Sequence, residues 1–215
     1  MKTGILFDLD GTLLDTLEDL LDATNYALGA FGFPERTLPE LRRFVGNGAL
    51  NQIRLACPAG TAPEMVEQVL AVYKPYYTAH CQNKTKPYPH ILQVLEQLGK
   101  EYPVAIVSNK PDGAVKALCA DYFPGIYALG EAADCPRKPA PDMVYKAMAA
   151  IGAERCIYVG DSEVDVLTAR NANVPCLSVL WGFRDKEEME RSGAEHFCAE
   201  EREWAQKIEE MIHGK

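Results

Sequence analysis

Gly4-Ile5-Leu6-Phe7-Asp8-Leu9-Asp10-Gly11-Thr12 is the stretch that decides the fold. Gly4 to Phe7 form a short apolar run bounded by polar residues, the pattern of a buried strand. Side chains on a strand repeat with period two, so Asp8 and Asp10 project to one side if the extended geometry continues past Phe7. Two carboxylates so close repel unless a cation or a shared proton lies between them. Gly11 and Thr12 permit a sharp exit, with backbone N–H groups available to an anion. The arrangement suits a hard divalent cation beside a phosphate, with one carboxylate as nucleophile and its neighbour handling protons. For these two acids taken alone, a polar turn after a buried strand is the plain alternative.

Outward from this strand the texture changes. Leu17, Leu20, Leu21, Thr24 and Leu28 recur at helical spacing, and residues 16 to 87 are expected to be all-helical. Phe44-Val45-Gly46-Asn47-Gly48 and the stretch from Pro58 to Pro63 break the helices, and Lys86-Pro87-Tyr88-Pro89 makes a stiff return. The pattern then alternates: helix 90–99, strand 104–107, helix 112–120, strand 126–129, helix 141–151, strand 156–159, helix 163–171, strand 176–180 and a closing helix near 200–212. Alternation of this kind predicts βαβ units around a mostly parallel sheet, an α/β Rossmann-like three-layer core. Residues 1–15 and 88–215 form that core, and residues 16–87 form a small all-helical insertion after the first strand.

In such sheets ligands bind beyond the carboxyl ends of the strands. Three further strand ends carry polar residues there: Ser108-Asn109-Lys110, Arg137-Lys138-Pro139 and Gly160-Asp161-Ser162. Each has an ordinary structural explanation. Ser108 and Asn109 can begin a turn, Lys138 can be a solvated loop lysine, and Asp161 and Asp165 can cap or complement the helix that follows. Those explanations do not account for all of them falling on one edge of a parallel sheet.

Composition narrows the partners. The chain has 215 residues, 47% hydrophobic and 25% charged, with a net charge of -9, which argues against affinity for nucleic acid or an anionic membrane. Its seven cysteines are odd in number and scattered without a Cys-x-x-Cys pair, as in reduced, packed thiols of a cytoplasmic protein. The four histidines show no zinc-ligand spacing, so oxygen ligands are expected for any metal. No window matches a signal peptide or a membrane span.

Four motifs in order, Asp8-Leu9-Asp10-Gly11-Thr12-Leu13, Ser108-Asn109, Lys138-Pro139 and Gly160-Asp161 through Asp165, make the chain resemble the haloacid dehalogenase superfamily of hydrolases. The helical segment 16–87 is similar to that family's cap. The resemblance implies Asp8 as nucleophile, Asp10 as general acid and then base, and Gly11, Ser108, Asn109 and Lys138 as phosphate-binding. It implies Mg2+ held by Asp8, the backbone carbonyl of Asp10 and Asp161, with Asp165 assisting from behind. Members that dehalogenate acids lack the second aspartate of the first motif, so Asp10 disfavours that reaction. Phosphonate-cleaving relatives need a cap lysine, and Lys74, Lys84 and Lys86 all come late. Sugar phosphomutases carry an acidic pair where this chain has Gly160-Asp161.

Phe44-Val45-Gly46-Asn47-Gly48, Ser108-Asn109-Lys110-Pro111, the stretch from Tyr158 to Ala172 and Trp181-Gly182-Phe183 resemble the phosphoglycolate phosphatase-like subgroup. The implied activity is hydrolysis of a small phosphate ester through an aspartyl phosphate, with the protein a monomer or homodimer. A pyrophosphatase or 5'-nucleotidase is the second reading. A sugar phosphomutase and a non-enzymatic, phosphate-responsive receiver-like protein are the remoter ones. The loop Gly46-Asn47-Gly48 is the candidate for substrate specificity, with a helix stop and tight turn as its alternative.

Overall fold

The computed structural model describes residues 2–214. Its contacts divide the chain into two compact units, Met1–Leu14 with Pro87–Lys215, and Asp15–Lys86.

The larger unit is built on a six-stranded sheet in which every pair is parallel. Its first strand, β1 (Thr3–Phe7), is interior because its apolar run can be covered on both faces. A two-residue strand, β2 (Leu14–Asp15), precedes the helical segment.

That segment holds α1 (Leu17–Gly29), α2 (Leu38–Phe44), α3 (Gly48–Ala56) and α4 (Pro63–His80). Val66, Val69, Tyr73 and Tyr77 recur every three or four residues and are all buried, which makes one face of α4 apolar. Thr37 and Glu40 form a capping box that starts α2. The expectation of an all-helical segment needs one amendment, because Lys86–Pro87 forms a short strand, β3, paired with β2.

Beyond it come α5 (Ile91–Gly99), β4 (Val104–Pro111), α6 (Asp112–Tyr122), β5 (Tyr127–Glu131), α7 (Asp142–Ile151), β6 (Arg155–Gly160), α8 (Glu163–Asn171) and β7 (Cys176–Val179). These follow the predicted alternation. Two elements were not expected, α9 (Lys186–Arg191) and β8 (His196–Cys198), and α10 (Trp204–His213) closes the unit. The strand order is β5-β4-β1-β6-β7-β8.

Period-two alternation sorts the strand residues between the faces. Leu6, Ala105, Val107 and Tyr158 join Met143, Val144, Ala147 and Ala169 in one buried cluster with α7 and α8. Phe7 instead meets Trp204 of α10 edge to face, with ring centroids 4.9 Å apart. β1 therefore lies between β4 and β6, and the carboxyl ends of the three strands are neighbours.

Candidate active site

The residues after Phe7 leave the sheet at its centre, and the Asp8 N–H is held by the Val159 carbonyl at 2.8 Å. This register brings Asp8 beside the end of β6. Asp8, Asp161 and Asp165 are all buried, and one carboxylate oxygen from each lies within 4.8 Å of the others.

One buried cation faces this anionic group. Lys138 Nζ lies 2.8 Å from Asp8 Oδ1 and 2.7 Å from Asp165 Oδ1, with its side chain 2% exposed. It also donates to the Tyr158 hydroxyl at 3.0 Å. Lys138 is thus no solvated loop lysine. The strand end at Asn109 sets its position: the Asn109 amide donates to the Lys138 carbonyl at 2.9 Å, and Asn109 Oδ1 accepts the Lys138 N–H at 2.8 Å. Ser108 is buried next to it and accepts the Lys110 N–H at 3.2 Å.

Asp161 is fixed at both oxygens. Oδ1 accepts the Thr12 hydroxyl at 3.0 Å, and Oδ2 accepts the Phe183 N–H at 2.7 Å. The indole N–H of Trp181 donates to the Thr12 carbonyl at 3.0 Å, which ties the loop after β7 to the loop after β1. A Cβ at Gly11 or Gly182 would collide with the Asp161 carboxylate, and one at Gly160 would collide with Asp165. Glycine is required at these positions by close approach.

Asp165 Oδ2 accepts the N–H groups of Asp161 and Ser162 and the Ser162 hydroxyl. Ser162 caps α8 and Asp165 is its capping-box partner, so the cap role considered for Asp161 belongs to Ser162.

The expectation that Gly11 offers its N–H to an anion is not met. That N–H donates to the Leu14 carbonyl at 2.9 Å because the chain turns back on itself there, and the demand on Gly11 comes from its +86° φ and the carboxylate beside it. The Asp10 side chain stands outside the acidic trio and pairs with Lys110, Nζ to Oδ1 2.6 Å. Gly46 and Asn47 lie in the helical unit between α2 and α3 and Gly48 opens α3, with both glycines at positive φ and Asn47 at the N-cap position, where its side chain makes no cap hydrogen bond.

Sequence reasoning assigned no role to Lys110, Tyr158 or Phe183, and gave Thr12 only its backbone N–H, not the hydroxyl bond to Asp161. Lys110 had a signal, a second lysine on the strand edge. The Phe183 contribution is a backbone donor and leaves no trace in residue type.

The electrostatics follow from burial. Burial pushes the Asp8 carboxyl well above its usual range; Lys138 opposes the rise, and Asp165 and Asp161 add to it. Burial and then Asp165 push Asp161 up to about 7, against the Phe183 N–H, the Thr12 hydroxyl and Arg184. Burial alone would lower Lys138, but the Asp165 and Asp8 carboxylates outweigh it and hold the ammonium above its ordinary value. Three buried carboxylates against one lysine leave an excess of negative charge. An all-oxygen set of this kind fits a hard divalent cation.

The family model described as haloacid dehalogenase-like hydrolase matches residues 5–179. A curated phosphoglycolate phosphatase from Rhodobacter capsulatus is 34% identical over 193 residues, 86% of this chain and 87% of that protein. One from Xanthomonas campestris pv. campestris is 35% identical over 195 residues, 84% of each. A crystal structure from Lactobacillus delbrueckii subsp. bulgaricus, provisionally assigned as a phosphoglycolate phosphatase, matches with a TM-score of 0.90 at 37% identity over 100% of both chains. The chain belongs to the haloacid dehalogenase-like hydrolase family, in its phosphatase branch.

Proposed function

We propose that the protein is a magnesium-dependent phosphomonoesterase that hydrolyses a small phosphorylated metabolite of the phosphoglycolate type through an aspartyl phosphate on Asp8. The observation that carries this reading is Asp8 itself, a buried carboxylate 2.8 Å from Lys138 and grouped with Asp161 and Asp165. Burial works against its ionised form, so the site needs more positive charge than Lys138 supplies before Asp8 can act as a nucleophile.

Asp8 and Asp161 would hold magnesium together with the Asp10 backbone carbonyl, with Asp165 supporting from behind. When bound, the ion supplies the charge that lets an anionic nucleophile approach an anionic ester. Lys138 and Ser108 hold phosphoryl oxygens, and Asn109 keeps Lys138 in place through its two backbone bonds. Asp8 attacks phosphorus, and Asp10 gives a proton to the departing alcohol oxygen. Water then attacks phosphorus and Asp10 takes its proton. Arg184 is paired with Glu163 at 2.8 Å and steadies the loop that carries Phe183.

The names of the relatives support phosphoglycolate as the substrate class. The segment 16–87 acts as the cap that selects the ester, with Gly46-Asn47-Gly48 as its candidate contact loop. A cytoplasmic location accords with seven free cysteines, and no helix among the described residues is long and apolar enough to cross a membrane.

The test is Asp8→Asn with magnesium and a panel of phosphate esters, diphosphates and nucleotides at equal concentration, read by phosphate release. The wild type is expected to turn over phosphoglycolate fastest, and the variant to lose about 10^3-fold or more in kcat. Wild-type rates in Asp8→Asn would contradict the nucleophile assignment. A diphosphate or nucleotide turned over fastest would replace the substrate and keep the chemistry.

A further inference from the structure

Lys110 is a buried charge on the strand edge that the chemistry above does not use. Its side chain is 2% exposed, and its Nζ lies 2.6 Å from Asp10 Oδ1 while the Asp10 side chain is 18% exposed. The two positions are 100 residues apart in sequence and meet because β1 and β4 are neighbours in the sheet. An exposed ion pair of this kind fixes little. A buried ammonium with a short contact to one carboxylate oxygen restricts the carboxylate's rotation.

The surroundings bear on the same pair. Cys119 of α6 responds to both charges: burial pushes its thiol up to about 12, Asp10 adds to the rise and Lys110 opposes it. It therefore stays a neutral thiol and does not compete for the Asp10 proton. The Lys110 backbone N–H is held by the Ser108 hydroxyl, so the end of β4 that presents Ser108 also aims Lys110.

We propose that Lys110 is a positioning residue for the hydrolytic half-reaction, tying Asp10 Oδ1 so that the other oxygen takes a proton from the attacking water. The inference rests on the reading of Asp10 given above. In this step the water oxygen bonds to phosphorus, and the bond from phosphorus to the Asp8 carboxylate oxygen breaks with its electron pair returning to Asp8. One water proton passes to Asp10, inorganic phosphate leaves, and the proton on Asp10 serves the next leaving group. Phosphoryl transfer from an aryl ester does not need that proton, because a phenolate of low basicity departs unaided.

Single turnovers by rapid quench with p-nitrophenyl phosphate and excess magnesium-saturated enzyme separate the steps. Release of p-nitrophenol reports formation of the phosphoenzyme, and release of inorganic phosphate reports its hydrolysis. For Lys110→Met, nitrophenol release is expected to stay within about threefold of wild type while phosphate release slows at least about tenfold, so that phosphoenzyme accumulates. Asp10→Asn is expected to show the same split, larger. Both rates come from the same folded molecules, so partial loss of folded protein cannot produce the split. Equal slowing of both phases in Lys110→Met, or none, beside a split in Asp10→Asn, would overturn the role of Lys110 and leave that of Asp10. No split in Asp10→Asn would overturn the base assignment and this inference with it.

Discussion

The two units put their buried polar groups to opposite uses. In the helical unit the main buried polar clusters are consumed internally. Gln52 donates to the Thr24 hydroxyl at 2.9 Å, and the Asp19 carboxylate accepts the Lys84 and Thr85 N–H groups and the Thr85 hydroxyl. Such groups join helix to helix and segment to segment, and these clusters need no ligand to pair. At the carboxyl edge of the sheet, three carboxylates meet one lysine and the charges do not balance. Buried hydrogen bonds stabilise in the first case; in the second, an imbalance marks where an ion and a substrate are needed.

The sharpest way to break this contrast is to remove the lysine that contacts two members of the trio. Lys138→Met is expected to lower kcat by about 10^3-fold and to destabilise the fold by ~3 kcal/mol, since Asp8 and Asp165 lose their partner. Phosphate release and urea unfolding measure the two effects. An active, equally stable variant would show that the edge is as self-sufficient as the helices.

Next in size is Gly182→Ala. The new Cβ displaces the Asp161 carboxylate, so the magnesium concentration for half-maximal activity is expected to rise roughly tenfold or more, with little change in kcat at saturation. An unchanged magnesium titration would detach the Trp181-Gly182-Phe183 loop from the ion.

The charge imbalance also has a pH signature. Asp161 sits at about 7 in the metal-free fold, above its unfolded value, so the folded state holds an extra proton at lower pH. Its stabilising contribution is complete below the unfolded value near 4 and is lost as pH rises through 7. Metal-free protein is therefore expected to lose ~2 kcal/mol between pH 5 and 7.5, with Asp8 acting in the same direction. Magnesium is expected to flatten that slope. A metal-free protein that gains stability over this range would show the trio to be compensated already.

The smallest activity effect belongs to the helical unit. Asp19→Asn is expected to cost about 1–3 kcal/mol in urea unfolding, because it weakens several buried bonds at once. It is expected to leave kcat within about twofold at temperatures where the variant stays folded. A large loss of kcat with normal stability would give Asp19 a catalytic part.

The same contrast explains what the sequence could say. The strand runs and the four motifs were legible because a parallel sheet forces its strand ends together, so a few local patterns predicted a non-local cluster. β8 was missed because His196–Cys198 is three residues long and has no apolar run; α9 had only the capping box of Asp185 and Glu188 to announce it. The pairing of Lys110 with Asp10 and the grip of Phe183 on Asp161 depend on strand order and on a backbone donor, which residue type does not encode. In the helical unit, apolar spacing gave the helices and left Gly46-Asn47-Gly48 open between turn and contact loop.

On the proposed pathway the phosphoryl group passes through Asp8. Borohydride added during turnover of an alkyl phosphate with magnesium reduces an aspartyl phosphate to homoserine, which peptide mass analysis locates. Homoserine is expected at position 8, dependent on both substrate and magnesium. Phosphate release with position 8 unmodified, or with the reduced residue elsewhere, would contradict it.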